Sequence, residues 1–130
     1  MKAIIATNYG NSEALTYTEN AKKPTLQENH VLVKIHAASI NPFDIALLSG
    51  VYKAHMPLTF PATPGGDFAG TVIEVGKNVT NLAIGDEVYG TANVLSGGTG
   101  SFAEFATASS GSIAKQPHNI SFIEAAAPVS

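Results

Sequence analysis

The stretch Ala37–Asp44, which reads AASINPFD, marks a corner where one regular element stops and another begins. An alternating apolar strand precedes it, and the apolar run Ile45–Leu48 that follows is suited to a helix. Asn41 is a predicted helix N-cap, and Pro42 suits the first helical position because no N–H is needed there. Asp44 falls in the first turn, where a negative charge interacts favourably with the helix dipole.

The short helix is expected to end at Gly50, since glycine readily adopts the left-handed conformation that closes a helix. Val51 and Tyr52 follow directly. The corner thereby holds a polar amide, that of Asn41, at a strand end, where it can take part in chemistry. An Asn-Pro pair at a strand end is also a common turn or cap without a catalytic role. The local pattern leaves both interpretations open.

Length and composition indicate one domain with a large core. The chain has 130 residues, of which 45% are apolar and only 13% charged. This composition is typical of folded domains and not of disordered chains. Seven basic and ten acidic residues give a net charge of −3 without a basic run, so nucleic acid is not an expected partner. The low charge leaves surface that another domain or subunit can cover.

The chain contains no cysteine, which excludes disulfides, thiolate zinc sites and a cysteine nucleophile. The N-terminal apolar run is too short for a signal peptide and is broken at Asn8 and Gly10, and no run has the length of a membrane span. A cytoplasmic protein without membrane contact is therefore expected. Two matches to the glycosylation pattern, at Asn78 and Asn119, are interpreted as chance.

Short β-strands separated by turn residues dominate the rest of the sequence. In the longest predicted strand, Val31, Val33, Ile35 and Ala37 occupy every second position, and Leu32, Lys34 and His36 lie between them. This alternation is typical of a half-buried strand. Further strands are predicted at 2–7, around 15–17, and at 71–75, 84–90, 101–107 and 112–115. This spacing favours a β-barrel or a sandwich. The segment 51–64, with three prolines, is predicted to be an ordered loop.

The C-terminal stretch begins with Ser121 and Glu124 in the pattern of a capping box and continues with three alanines. A helix this short needs tertiary contacts to be stable. We therefore expect residues 1–120 to form the domain, and residues 121–130 to start a helix that leads into a further, nucleotide-binding domain.

Together these motifs resemble the N-terminal, GroES-like domain of the medium-chain dehydrogenase/reductase superfamily, in particular its zinc-free quinone oxidoreductase, or zeta-crystallin-like, branch. The resemblance implies a mainly β, GroES-like, partly open β-barrel with short helices, followed by a Rossmann domain. It covers essentially the whole chain and rests on the order and spacing of Met1–Ala3, Val31–Lys34, Ser39–Asp44, Pro64–Val72, Val75-Gly76, Gly85–Val88, Gly100–Phe105 and Ser121–Ala127.

Glycines of that pattern are interpreted as structural. Gly65, Gly66 and Gly70 are expected to permit close packing that a Cβ would block, and Gly85 is expected to form a turn. The run Gly98–Ala103 fits G-x-G-x-x-G/A, but that motif binds dinucleotides only between a strand and a helix. It is interpreted as a loop before a strand.

Zinc alcohol dehydrogenases of the superfamily place a cysteine ligand at the corner and a His-Glu pair after the motif glycine. The corresponding positions here are Asn41 and Gly66-Asp67. Among the histidines at 30, 36, 55 and 118, His30 and His36 can share a strand face, but two imidazoles without a third ligand make a poor site. No metal site is expected.

The resemblance implies that Asn41 and Tyr52 lie in the cleft facing the nicotinamide and that Asp44 shapes the corner. These three are the predicted catalytic residues, and Asn41, Phe43 and Tyr52 are the predicted cofactor contacts. An amide and a phenol can donate hydrogen bonds to a substrate oxygen that gains negative charge, although Tyr52 is equally consistent with ordinary packing. Related reductases often carry a further tyrosine where Ala46 stands, which predicts a more apolar pocket.

The implied function is that of the substrate-side domain of an NADPH-dependent, zinc-independent quinone oxidoreductase, a homodimer when full length. The cofactor would be bound mainly by the following domain, so the chain alone is expected to be inactive. One alternative is an enone, alkenal or enoyl reductase of the same branch. Another is a non-catalytic binding module that keeps the barrel, although the loop 51–64 with its tyrosine and prolines favours the enzyme.

Overall fold

The computed structural model describes residues 1–39, 41–58, 60–92 and 100–116. Its elements in chain order are β1 (Ala3–Ala6), a 3₁₀ turn (Ser12–Ala14), β2 (Leu15–Thr18), β3 (His30–Ala38), α1 (Pro42–Ser49), β4 (Asp67–Val75), β5 (Glu87–Thr91), β6 (Phe105–Ser109) and β7 (Ile113–Lys115). The described chain is mainly β, as predicted. None of its helices is long and apolar enough to cross a membrane.

Two antiparallel sheets organise the described chain. β1 and β2 form a hairpin, and the larger sheet has the order β6-β3-β4-β5-β7. The larger sheet curls into a half-barrel, which confirms the predicted GroES-like barrel. Single bridges at Ala103 and Ala62 tie β1 to segments that flank the half-barrel.

The core lies inside the curl of the larger sheet. Val31 and Val33 of β3 pack with Phe68 and Val72 of β4, and all four are fully buried. The predicted alternation of β3 holds from Lys34 onward, but the preceding Leu32 is buried as well. The first half of β3 is therefore covered on both sides. β3 and β4 form the central strand pair of the sheet, and α1 follows β3 in the chain.

Several predicted boundaries were wrong because backbone partners lie far along the chain. β6 begins at Phe105 and not at Ser101, since Ser101 and Phe102 donate their N–H groups to Gly65 and Pro64. β4 starts four residues before the predicted Thr71, because its first residues already pair with β5. A strand follows Gly100–Ala103, as predicted. The predicted C-terminal helix and the 120/121 boundary lie outside the described residues.

The glycine predictions are confirmed at Gly65, Gly70 and the turn at Gly85, where φ is +96°, and wrong at Gly66. A Cβ on Gly70 would lie 2.1 Å from the Lys34 carbonyl oxygen, and one on Gly65 would lie 2.4 Å from Ser101 Oγ. A Cβ on Gly66 would meet Asp44 Oδ1 at an ordinary 3.5 Å. Gly70 therefore permits the close approach of β3 and β4, whereas Gly66 has room for a side chain.

We expect Gly70→Ala to destabilise the chain by about 3 kcal/mol, because the methyl group would force the two central strands apart. Urea unfolding measures the change. Gly66→Ala is the matched control: its added methyl has space, so the expected change in the free energy of unfolding is within about 1 kcal/mol. Equal effects of both substitutions would contradict the packing assigned to Gly70.

Candidate active site

The N-terminus of α1 sits at the corner that the sequence predicted. Asn41 is the N-cap with extended backbone (φ −116°, ψ 157°), and Pro42 takes the first helical position. Asp44 Oδ2 accepts the backbone N–H of Asn41 at 2.9 Å, and the Asp44 N–H donates to the Asn41 carbonyl oxygen at 3.0 Å. Gly50 ends the helix in the left-handed conformation (φ +90°). The short helix is thus fixed at both ends by local bonds.

Asp67, the first residue of β4, joins the helix to the sheet. The side-chain amide Nδ2 of Asn41 donates to Asp67 Oδ2 at 2.5 Å, and Thr91 Oγ1 donates to Asp67 Oδ1 at 3.3 Å. The Ser39 backbone N–H donates to the Asp67 carbonyl oxygen at 3.2 Å. An amide nitrogen carries two hydrogens. Asp67 therefore orients the Asn41 amide and leaves its second N–H for another acceptor.

The two carboxylates of this corner influence each other. Partial burial raises the pKa of Asp44 above its ordinary value of 3.8, and the negative charge of Asp67 raises it further. Hydrogen bonds from the backbone N–H groups of Asn41 and Gly66 oppose this shift without cancelling it. Asp44 is therefore easier to protonate than a free aspartate.

A second pair of predicted residues, Phe43 in the first turn of α1 and Tyr52 after its end, is partly exposed. The rings of Phe43 and Tyr52 are tilted by 41° with centroids 5.8 Å apart, and their residues are 45% and 39% exposed. The Tyr52 hydroxyl makes no hydrogen bond to the described residues. We call this exposed aromatic pair the α1 patch.

The side of α1 that carries Leu47 and Leu48 lines a shallow cleft that is open to solvent. Leu47 and Leu48 of the helix face Leu58 and the stretch 62–65 across it, and Asp44 contributes a carboxyl group. Asn41, Phe43 and Tyr52 do not line this cleft. The structure thus brings Asn41 and Asp44 together at the corner and Phe43 and Tyr52 together on the patch.

Sequence reasoning did not identify Asp67 and Thr91 as residues of the site. Asp67 was considered only as the counterpart of a zinc ligand. The available signal was its place at the start of the strand that pairs with β3, just opposite the end from which Asn41 follows. Strand pairing brings Ala38 next to Phe68, and this places Asp67 beside the corner.

The described residues include no cluster of three His, Cys, Asp or Glu side chains that could hold a metal ion. Asp44 and Asp67 supply two carboxylates at the corner, and Gly66 supplies no side chain. His36 is engaged with Thr71, whose Oγ1 lies 3.0 Å from His36 Nε2. The side chains at the corner therefore do not fit the three-ligand requirement of a catalytic zinc.

The raised pKa of Asp44 gives a signed pH dependence of stability. A carboxyl whose pKa is higher in the folded chain contributes stability that is fully present below its unfolded value, here 3.8. That contribution is lost as pH rises through the folded pKa, because the unfolded state ionises more easily. We expect the wild type to lose stability relative to Asp44→Asn as pH rises from 3.8 towards neutrality.

Urea unfolding at a series of pH values measures this difference. Asparagine keeps the shape of the side chain and one acceptor oxygen, so the variant removes the charge with little change in size. Glu13→Gln, at an exposed residue away from the corner, controls for the loss of one negative charge. Parallel pH curves for wild type and Asp44→Asn would refute the environment assigned to Asp44.

Comparison with known proteins places this geometry in a family. Residues 27–118 match the alcohol dehydrogenase GroES-like domain. The chain is 42% identical over 132 residues to 2-methylene-furan-3-one reductase of Solanum lycopersicum, covering 98% of this chain and 34% of the relative. It is 35% identical over 127 residues to quinone oxidoreductase of Homo sapiens, covering 98% of this chain and 37% of the relative.

A solved structure shows the same fold. The quinone oxidoreductase of Escherichia coli complexed with NADPH superposes with a TM-score of 0.83 at 28% identity, over 99% of this chain and 37% of that one. The chain spans about a third of the length of the curated relatives it matches. The family match over residues 27–118 and the curled antiparallel sheet lead to the same assignment. The chain belongs to the alcohol dehydrogenase GroES-like domain family, with relatives among the quinone oxidoreductases and alkenal reductases.

Proposed function

We propose that this chain is the substrate-side part of an NADPH-dependent oxidoreductase that reduces a quinone or a conjugated carbonyl compound without zinc. The observation that carries the proposal is the pair of available donors beside α1. Asn41 has one N–H bound by Asp67 and a second one available. Tyr52 presents a phenol without a hydrogen-bond partner among the described residues.

These two donors suit the charge that appears during reduction. When a carbonyl or quinone accepts a hydride, negative charge develops on its oxygen, and oriented donors lower the barrier. Asn41 is oriented by Asp67 and by the cap, so it needs little rearrangement to donate. The Tyr52 hydroxyl donates a second hydrogen bond, and bulk water can then supply the proton.

The α1 patch fits the nicotinamide end of the cofactor. Phe43 and Tyr52 offer exposed ring faces and edges, on which a flat heteroaromatic ring packs well. Asn41, Phe43 and Tyr52 would hold that end, and NADPH would supply the hydride when bound. The Escherichia coli relative was solved with NADPH, which supports this choice of cofactor.

Asp44 acts through position rather than contact. Its carboxylate holds the Asn41 backbone and its charge lies near that of Asp67. The bond that its carboxylate accepts from the Gly66 N–H ties the start of α1 to the residue before β4. We propose that Asp44 shapes the site and that Asn41 and Tyr52 contact the substrate.

Zinc independence is part of the proposal and rests on the donor set. Asn41 and Gly66 stand where zinc enzymes of the superfamily carry ligands, and the amide of Asn41 is engaged with Asp67. A chelator is therefore expected to leave turnover unchanged. Loss of activity on chelation, restored by zinc, would contradict this part of the proposal.

The remainder of the proposal concerns the whole protein. Because the relatives are about three times as long as the chain, we propose that the activity needs a nucleotide-binding domain that supplies most of the NADPH contacts. We further propose that the full enzyme is a cytoplasmic homodimer. The reductase for a conjugated furanone among the relatives supports an enone as the second candidate substrate.

The substrate class is tested in the polypeptide expressed from the gene's whole reading frame. The loss of NADPH absorbance is followed with a quinone in one assay and with an enone in another. Turnover with either supports the proposed chemistry, and the higher kcat/KM identifies the preferred class. Absence of turnover with both would contradict the proposal and favour a binding module.

Asn41→Ala in the same polypeptide is expected to lower kcat by about 10²-fold, since one donor to the developing oxyanion is lost. The expected loss of unfolding free energy is about 2 kcal/mol, mainly from the lost bond to the Asp67 carboxylate. Asn81→Ala is the control, because its amide contacts a backbone oxygen far from α1, and turnover should not change. A large loss of stability with unchanged turnover would make Asn41 a cap and no more.

A further inference from the structure

Tyr52 lies on an exposed segment that makes few buried contacts. Residues 51–58, which we call the Tyr52 segment, follow the end of α1, and residues 51–55 are all exposed. Hydrogen bonds from the backbone N–H groups of His55 and Met56 to the Tyr52 carbonyl oxygen, at 3.0 and 2.7 Å, keep it internally turned. Exposed segments with few buried contacts open easily. The position of Tyr52 therefore depends on what fixes the two ends of the segment.

At the first end, Gly50 packs against the ring of Tyr9, which lies in the turn after β1. The backbone of Gly50 lies against the Tyr9 ring so closely that a Cβ on Gly50 would be 3.2 Å from Tyr9 Cγ. Beside it, the Gly10 N–H donates to the Leu48 carbonyl oxygen at 3.0 Å. The last turn of α1 and its cap are thus docked on the β1–β2 hairpin.

The second end is held by the same side chain. The Tyr9 hydroxyl accepts the backbone N–H of Leu58 at 3.0 Å, and the Tyr9 ring meets Phe60 edge-on with centroids 4.9 Å apart. Beyond this point, Ala62 is bridged to Ala6 of β1 by two backbone hydrogen bonds of 2.8 Å. Tyr9 therefore contacts Gly50, the residue just before the Tyr52 segment, and Leu58 at the end of that segment.

We propose that Tyr9 is a positioning residue for the reductase: it clamps both ends of the Tyr52 segment and so holds the Tyr52 phenol beside Phe43. This inference rests on the proposed function, because only there does the placement of Tyr52 matter for turnover. Tyr9 acts through Tyr52 and does not contact the substrate. Removal of the Tyr9 hydroxyl breaks its bond to the Leu58 N–H. The bridge between Ala6 and Ala62 remains, so only the Leu58 end of the segment is expected to move.

The clamp is tested without any activity. The chain has four tyrosines, so 3-fluorotyrosine labelling gives one ¹⁹F NMR signal for each, assigned by Tyr→Phe substitutions. In Tyr9→Phe the Tyr52 signal should move towards its position in Phe43→Ala, where the ring contact is lost. The Leu58 amide should exchange about fivefold faster with solvent, as expected when one hydrogen bond is removed. Tyr17→Phe, at an exposed tyrosine of β2, should change neither.

A double-mutant cycle in the whole-reading-frame polypeptide tests the link to turnover. Tyr9→Phe is expected to lower kcat/KM by about tenfold through misplacement of Tyr52. In a Tyr52→Phe background the same substitution should have almost no further effect, since residues that act through one another are not additive. Fully additive losses would overturn the proposal.

An unchanged Tyr52 signal in Tyr9→Phe, with lowered thermal stability, would also overturn the proposal and leave Tyr9 with a structural role only. The two readouts separate this inference from the proposed function. A moved Tyr52 signal together with no turnover of quinone or enone by the wild type would retain the clamp and reject the function.

Discussion

The hydrogen bond between the Asn41 amide and the Asp67 carboxylate, 2.5 Å long, is the interaction on which the site depends. It joins the first turn of α1 to the first residue of β4, two elements that are separated by a long irregular segment. A bond to a charged acceptor is stronger and shorter than one between neutral groups. It fixes the amide in orientation, and it leaves the second amide hydrogen available for another acceptor.

Two carboxylates at this corner, those of Asp44 and Asp67, repel each other electrostatically. Asp44 and Asp67 are close enough for the charge of one to raise the pKa of the other, and backbone N–H groups compensate in part. The hydrogen bond from the Gly66 N–H to Asp44 connects the start of α1 to the residue before β4. Phe43, the residue before Asp44, and Tyr52 stay partly exposed, so an exposed aromatic pair adjoins the polar corner.

Local features of this site could be predicted from the sequence, and features built by distant contacts could not. The cap at Asn41, the proline at the first helical position and the glycine that ends α1 follow from rules that act within one turn. Asp67 and Tyr9 were not assigned to the site because their partners come from other elements. The misplaced start of β6 has the same cause, since Ser101 bonds to Gly65 across the molecule instead of continuing the strand.

The fold itself was more predictable than the site, because the alternation in β3 and the glycine at position 70 constrain the central strand pair directly. The roles of Asn41, Phe43, Asp44 and Tyr52 in reduction stay predictions, although their placement around α1 is consistent with them. All four placements depend on the orientation of α1. The Asn41–Asp67 bond fixes the start of the helix, and the contacts of Tyr9 and Gly10 with Gly50 and Leu48 fix its end.

The most direct measurement is the ¹H–¹⁵N NMR spectrum of the Asn41 side-chain amide in wild type and in Asp67→Ala. We expect one strongly downfield amide proton, bound to the carboxylate, and one near the position of a free amide. In Asp67→Ala both protons should move to free-amide positions. Two free-amide protons in the wild type would contradict the anchored amide from which the proposed chemistry is derived.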